Sequence, residues 1–291
     1  MSKIIFLTLF LSSLVFGQIK PPEGLRENSP SVWALKGAKT YIEPGKVKEN
    51  STIIIRDGLI ENVGINIKIP KDASVLDMTG KTIYPGFIDS WVELPNIKET
   101  ISHHDSHWNS KVNSRKDMSQ LYQADEKNIK SLQKLGFTSA HIVADSGIFQ
   151  GQTAVIQLDK EGTVLKSNVA QNIAYEVDGW GSKKYPNSLL GVMALIRQTF
   201  IDADWYIRSI EQAETYPQFN EPLERNRDLT ILGEWVQFKK PFLFETNHEL
   251  TALRSFNLAK EFKLNCWIKG SGYEYRRIKK LFQPSRLSFY H

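Results

Sequence analysis

From residue 118 onward, short apolar runs without polar alternation are separated by stretches of helical period, and that order constrains the fold more than any other feature. The runs are residues 139–144, 241–245 and 265–268. Between them, residues 118–135 read as a helix stopped by Gly136, and residues 187–214 and 250–262 as two more. On the long one, Leu189, Met193, Ile196, Phe200, Ala203, Ile207 and Ile210 recur at three- and four-residue steps, which builds one apolar face. Strands that are apolar throughout must be covered on both faces. Joined through helices, they pair in parallel. Residues 152–177 add short strand-like runs at 154–158 and 169–177.

The texture ahead of this region differs. Residues 34–41, 52–55, 59–63, 74–77 and 82–88 are strand-like, and residues 31–82 form a compact β-unit. Asp57-Gly58 separates two of the runs and predicts a hairpin, because such a turn needs positive φ that these two residues tolerate. Residues 18–30, rich in Pro, Glu and Asn, read as an extended lead-in. At the start, Lys3 precedes an apolar run over residues 4–16, with Val15 and Gly17 at the −3 and −1 positions before Gln18. This is the pattern of a signal peptide, residues 1–17, cleaved between Gly17 and Gln18. The run is short for a bilayer span, and no Cys follows it to carry a lipid. An exported protein, periplasmic or extracellular and without a membrane anchor after cleavage, is the expectation.

Composition narrows the partners. The net charge is +5, but Lys and Glu are interleaved, and no basic run is dense enough to track phosphates. A nucleic-acid partner is therefore not expected. Cys266 is the only cysteine, so no intramolecular disulfide forms, and it reads as a small buried hydrophobe in a strand. Gly147 to Gly151 lacks the Lys and Ser/Thr that a phosphate loop requires.

The run Pro85-Gly86-Phe87-Ile88-Asp89 resembles the first barrel strand of the amidohydrolase superfamily, where such a run leads into His-x-His. Residues 53–64 are similar to the hairpin of that family's β-domain. Residues 136–138, 147–152, 188–202, 241–245 and 269–272 are similar to its imidazolonepropionase-like branch. The resemblance implies an α/β fold: a partial (β/α)8 TIM-type barrel, about its first half, over residues 83–291, with an N-terminal β-sandwich subdomain over residues 31–82. It also implies a divalent metal, zinc in most of the family. Two His at i and i+2 on one strand reach a single ion, and the metal-bound hydroxide attacks an amide carbonyl.

This sequence departs from that pattern. The two imidazole positions fall on Trp91 and Glu93, and indole has no lone pair to offer a metal. Where some relatives carry a His on the strand at residues 241–247, this chain has Glu245. Barrel strands five to eight and their ligands are not expected within the sequence. Residues 281–291 match no strand or helix pattern, and a frameshift or premature stop is one reading of them. No catalytic residue and no metal are therefore expected in this chain, although zinc or another divalent metal serves the family.

Other candidates keep two readings each. His103, His104 and His107, with Asp105, read either as a helical metal cluster or as a polar loop over the barrel mouth. Trp108, Asn109 and Glu245 are candidates for contacting a small-molecule ligand. The functional expectation is an exported amidohydrolase-like chain, of a family that hydrolyses C–N bonds in small or cyclic amides, inactive as it stands. The alternatives are a non-catalytic binding module and the first repeat of a longer tandem protein. Open barrel edges predict self-association.

Overall fold

The computed structural model describes residues 31–94, 105–177, 183–219, 223–277 and 288–290. The expected signal segment, the lead-in, His103 and His104 lie outside them. The chain divides into two compact units between Pro85 and Gly86.

The first unit is one mixed five-stranded sheet built from β1 (Val32–Glu43), β2 (Lys46–Arg56), β3 (Leu59–Gly64), β4 (Ser74–Asp77) and β5 (Thr82–Ile83). β1 is its centre, antiparallel to β2 and parallel to β4 and β5. Val32 and Ala34 alternate inward along β1 and pack with Ile54 of β2. The β2–β3 turn holds Asp57 at φ 50 and Gly58 at φ 79, the left-handed pair the sequence calls for. The described residues of this unit form that single sheet, and the second layer of a sandwich is not among them.

The second unit carries two sheets with helices packed on them. The first sheet runs β10–β9–β7–β6, from β6 (Phe87–Leu94), β7 (Phe137–Ala144), β9 (Ala154–Gln157) and β10 (Val164–Lys166). β6 and β7 are parallel. The second sheet runs β14–β13–β12–β11–β8, from β8 (Phe149–Gln152), β11 (Gln171–Ala174), β12 (Pro241–Glu245), β13 (Asn265–Lys269) and β14 (Ser288–Tyr290). Here β11, β12, β13 and β14 are all parallel. The parallel pairing expected from strand–helix–strand order is thus present. It includes two strands whose parallel pairing was not expected: β11, within a stretch read only as short runs, and β14, where residues 281–291 showed no pattern.

Helices α3 (Leu189–Thr215), α4 (Arg227–Gln237) and α5 (Glu249–Glu261) cover the second sheet. Phe242, Phe244, Cys266 and Ile268 meet Leu195, Ile196, Phe200, Leu232 and Trp235 in one core. The buried stripe of α3 keeps Ile196, Phe200 and Ala203 of the face read in the sequence and adds Val192, Leu195, Thr199 and Tyr206, so it is turned slightly from that face. α4 has no counterpart in the sequence reading. Asn226 caps it by accepting from the Leu229 N–H. Gly233 lies within it, because a Cβ there would stand 2.1 Å from Ile207 Cγ1 of α3. A helix-weakening residue is thus kept for a close helix crossing, which is why local propensity hides the helix.

The helix expected over residues 118–135 is two: α1 (Met118–Leu121) and α2 (Glu126–Lys134). Tyr122 is extended, and the Asp125 side chain accepts from the Lys127 N–H to start α2 anew. Asp favours this cap over a helix interior, so it breaks the continuous reading. The strand expected over residues 82–88 also divides, at Pro85-Gly86. A Cβ on Gly86 would lie 2.1 Å from Thr138 Cγ2, so only glycine lets this segment pass so close to β7.

Candidate ligand-binding site at the strand ends

The ends of parallel strands, where the chain leaves the sheet, are where α/β folds gather ligand-binding groups. On β6 the route to that end is irregular. Asp89 lies opposite Ala140 and Val92 opposite Ile142, so three steps along β6 match two along β7. Such a bulge re-aims side chains. Beyond it, Val92 packs with Ile142 on the core under α1 and α2, and its neighbours Trp91 and Glu93 project to the other face. Trp91 Nε1 donates to Glu93 Oε1 at 2.7 Å, and the Trp91 N–H donates to Asp89 Oδ1 at 3.0 Å.

Glu245 and Lys269 end β12 and β13 in register with each other. Phe244 and Ile268 before them face the helices, so these two side chains face away from the helical core. Lys269 Nζ lies 3.1 Å from Glu245 Oε1 and 4.5 Å from the centre of the Trp91 ring. Trp91, Glu93 and Glu245, singled out one by one in the sequence, are therefore joined in one chain of contacts. Lys269 joins them, and the sequence reading gave it no role.

An open cleft of about 370 Å³ lies beside this cluster, lined by Asp145 after β7, Glu176 after β11, Glu245, and His248. Glu176 accepts from Lys111 Nζ at 2.8 Å and from the Gly147 N–H, so it ties three loops together. His248 caps α5, its Nδ1 accepting from the Leu250 N–H at 3.2 Å. Tyr175, also on the cleft, is pushed up to about 12 by burial while its hydroxyl meets Ser255 Oγ at 2.8 Å. The Cys266 thiol, buried on β13 in the core, is likewise raised to about 12 by burial, which keeps it protonated at neutral pH.

Trp108 and Asn109 stand in the irregular loop before α1 and do different things. Trp108 is 67% exposed and its ring stacks near Tyr185, with centroids 6.2 Å apart. Asn109 is buried. Its Nδ2 donates to the Tyr185 carbonyl at 3.1 Å, and its Oδ1 accepts from the Lys111 N–H at 3.0 Å. Asn109 thus holds the loop that presents Trp108. His107 lies in the same loop, not on a helix, and is buried with its Nδ1 accepting from the Asn109 N–H. The loop is pinned from far along the chain by Asp228 of α4, which accepts from the His107 N–H at 3.0 Å and the Arg115 N–H at 3.1 Å.

His141 on β7 is a second buried imidazole. Its Nδ1 meets the Ser90 carbonyl at 3.2 Å and its Nε2 meets Thr153 Oγ1 at 2.7 Å. Thr153 Oγ1 in turn accepts from the Ala170 N–H. The pattern is complete for a neutral ring with the proton on Nδ1. Burial holds both His141 and His107 below the usual imidazole range. Below about pH 6.5 the unfolded chain therefore binds protons that the native chain refuses. Stability is expected to be level above that pH and to fall below it, by at most about 1.4 kcal/mol per pH unit for each ring. Urea unfolding between pH 7.5 and pH 5 reads this, and a midpoint that rises on acidification would exclude it.

The divalent metal implied by the sequence resemblance does not fit these residues. Trp91 has no donor lone pair, the Glu93 carboxylate is bonded to the indole, and an ammonium sits against Glu245. Among the described residues, no group of three or more His, Cys, Asp or Glu is placed to hold a metal ion.

No family-level sequence profile matches the chain. It is 33% identical over 72 residues to the dihydroorotase of Anaeromyxobacter dehalogenans (strain 2CP-C), a match spanning 23% of this chain and 17% of that protein. The structure is similar to that of an amidohydrolase from Thermotoga maritima MSB8, with a TM-score of 0.73 and 22% identity, covering 88% of this chain and 68% of the other. At that identity the likeness speaks for the fold. The chain carries the amidohydrolase fold, and the resemblance to the amidohydrolase superfamily read from its sequence stands.

Proposed function

We propose that this chain is an exported, non-hydrolytic member of the amidohydrolase fold that binds a small molecule at its strand ends. In this reading residues 1–17 are removed on export. The parallel strands β6, β7 and β11 to β14 are part of a (β/α)8 barrel, and residues 31–82 are the accompanying β-domain. The supporting observation is the bond between Trp91 and Glu93 at the two positions where the superfamily resemblance expects imidazoles. An indole N–H and a carboxylate it already occupies cannot generate hydroxide from water at neutral pH, which is the step a metal supplies in hydrolysis. What remains is recognition: a cleft lined by the ion-paired carboxylates of Glu176 and Glu245, and, on a separate braced loop, the exposed Trp108. The outer edge of β6 has no strand partner among the described residues, which favours self-association through that edge.

One preparation tests the reading. Exported protein should have the mass of a chain starting at Gln18, contain no stoichiometric metal by elemental analysis, and show no zinc site of micromolar affinity or better by calorimetry. A tight zinc site lost on Glu93→Ala, with amide hydrolysis, would overturn it.

A further inference from the structure

Trp91, Glu93, Glu245 and Lys269 are joined by a hydrogen bond, a cation–π contact and an ion pair. We infer that this is an organic-ammonium site whose occupant is the chain's own Lys269. The inference rests on the metal-free reading above and goes beyond it by naming what the site is built to hold.

An alkylammonium is recognised by an aromatic face and a carboxylate together, the first through the ring quadrupole and the second through charge and hydrogen bonding. Both are in place here. Lys269 Nζ lies 4.5 Å from the Trp91 ring centre and 3.1 Å from Glu245 Oε1. The indole is oriented by its own N–H, donated to Glu93 Oε1 at 2.7 Å. Donating that hydrogen bond to a carboxylate also makes the ring face more electron-rich, which strengthens its hold on a cation. Lys269 and Glu245 retain 28% and 22% of their side-chain exposure, so the pair is partly shielded from screening by solvent. A divalent cation entering here would meet a tethered positive charge that has already satisfied the carboxylate. The ammonium also spans the unit: Trp91 belongs to the sheet containing β6 and β7, and Lys269 to the sheet containing β11 to β14. Those two sheets share no strand, so this contact is a cross-strut between them.

The test is chemical rescue. Lys269→Ala in the full chain removes the ammonium and most of its stem, and n-propylammonium is close to the missing piece. The variant is expected to melt roughly 3–6 °C below the parent. Tens of millimolar n-propylammonium chloride should restore most of that loss, while sodium chloride at equal ionic strength and n-propanol should not. Trp91→Leu added to Lys269→Ala should abolish the rescue. An unchanged melting temperature, equal rescue by salt or propanol, or rescue that survives Trp91→Leu would overturn the inference.

The parent protein supplies a readout that needs no destabilised variant. With carbon-13-labelled lysine, the Lys269 Hε resonances should be shifted upfield by the indole ring and lose that shift in Trp91→Leu. Normal Hε shifts would overturn the inference. Zinc that binds and abolishes the shift would overturn both the inference and the metal-free reading. Zinc that binds and leaves the shift intact would overturn the metal-free reading alone.

Discussion

Phe200→Ala is expected to destabilise the second unit by about 3–5 kcal/mol. Phe200 is 2% exposed at the centre of the core between α3 and the parallel sheet. Its ring touches three others: Phe149 at 5.5 Å, Phe242 at 5.3 Å and Phe262 at 5.1 Å between centroids. These come from β8, from β12 and from the end of α5, so truncation opens a cavity bounded by three separate elements. No single one can move in to fill it without disturbing the other two. The loss is a large share of the roughly 5–15 kcal/mol that holds a typical domain together. Urea unfolding of the variant beside the parent measures it, and a loss under about 1 kcal/mol would mean that the site collapses freely and that the packing described here is wrong.

Asp228→Ala is expected to cost about 2–5 kcal/mol, for a different reason. The carboxylate is 1% exposed and accepts two backbone N–H groups, from His107 and Arg115. Removing it strands both donors away from water, at about 1–3 kcal/mol each. Asp228→Asn should cost about half as much, since a carboxamide keeps one acceptor oxygen and turns the other into a donor. Hydrogen exchange localises the effect: the amides of His107 and Arg115 should lose protection in the Ala variant before those of β12 do. Uniform loss of protection across the unit would instead assign Asp228 a global role. The same variant should loosen Trp108, because Asp228 pins the loop on which that ring is presented.

Much of this architecture was legible in the residues. β7, β12 and β13 follow from short apolar runs, α3 from apolar residues at steps of three and four, and α5 was read as the helix between two such runs. The Asp57-Gly58 turn is where positive φ is tolerated and is found. The errors have local causes. Asp125 competes for backbone N–H groups and splits one expected helix into two. Gly233 weakens α4 in isolation and is repaid only by its contact with α3. β11 was read as a strand, but its parallel pairing with β12 was not, because pairing is not a local property, and β14 is a strand of three residues, too short for periodicity to register.

The candidate site was legible in part, and the division is physical. Alternation along a strand is a local property, so Trp91 and Glu93 on one side of β6, and the absence of imidazoles there, could be read from the sequence alone. So could the loop position of Trp108. What each side chain meets is not local. Whether Trp91 faces Lys269 depends on the bulge between Asp89 and Val92 and on how the sheets containing β6 and β13 approach each other, and neither leaves a trace in local pattern. The Glu245–Lys269 pair depends on the β12–β13 register, and the Asp228 brace on α4 packing where a loop more than a hundred residues earlier can reach it. The sequence by itself determined that Trp91 and Glu93 share one side of a strand and that no imidazole stands there. Only the tertiary structure decided that Glu245 and Lys269 neutralise one another beside them, because pairing of distant charges is set by register and packing and not by the order of residues.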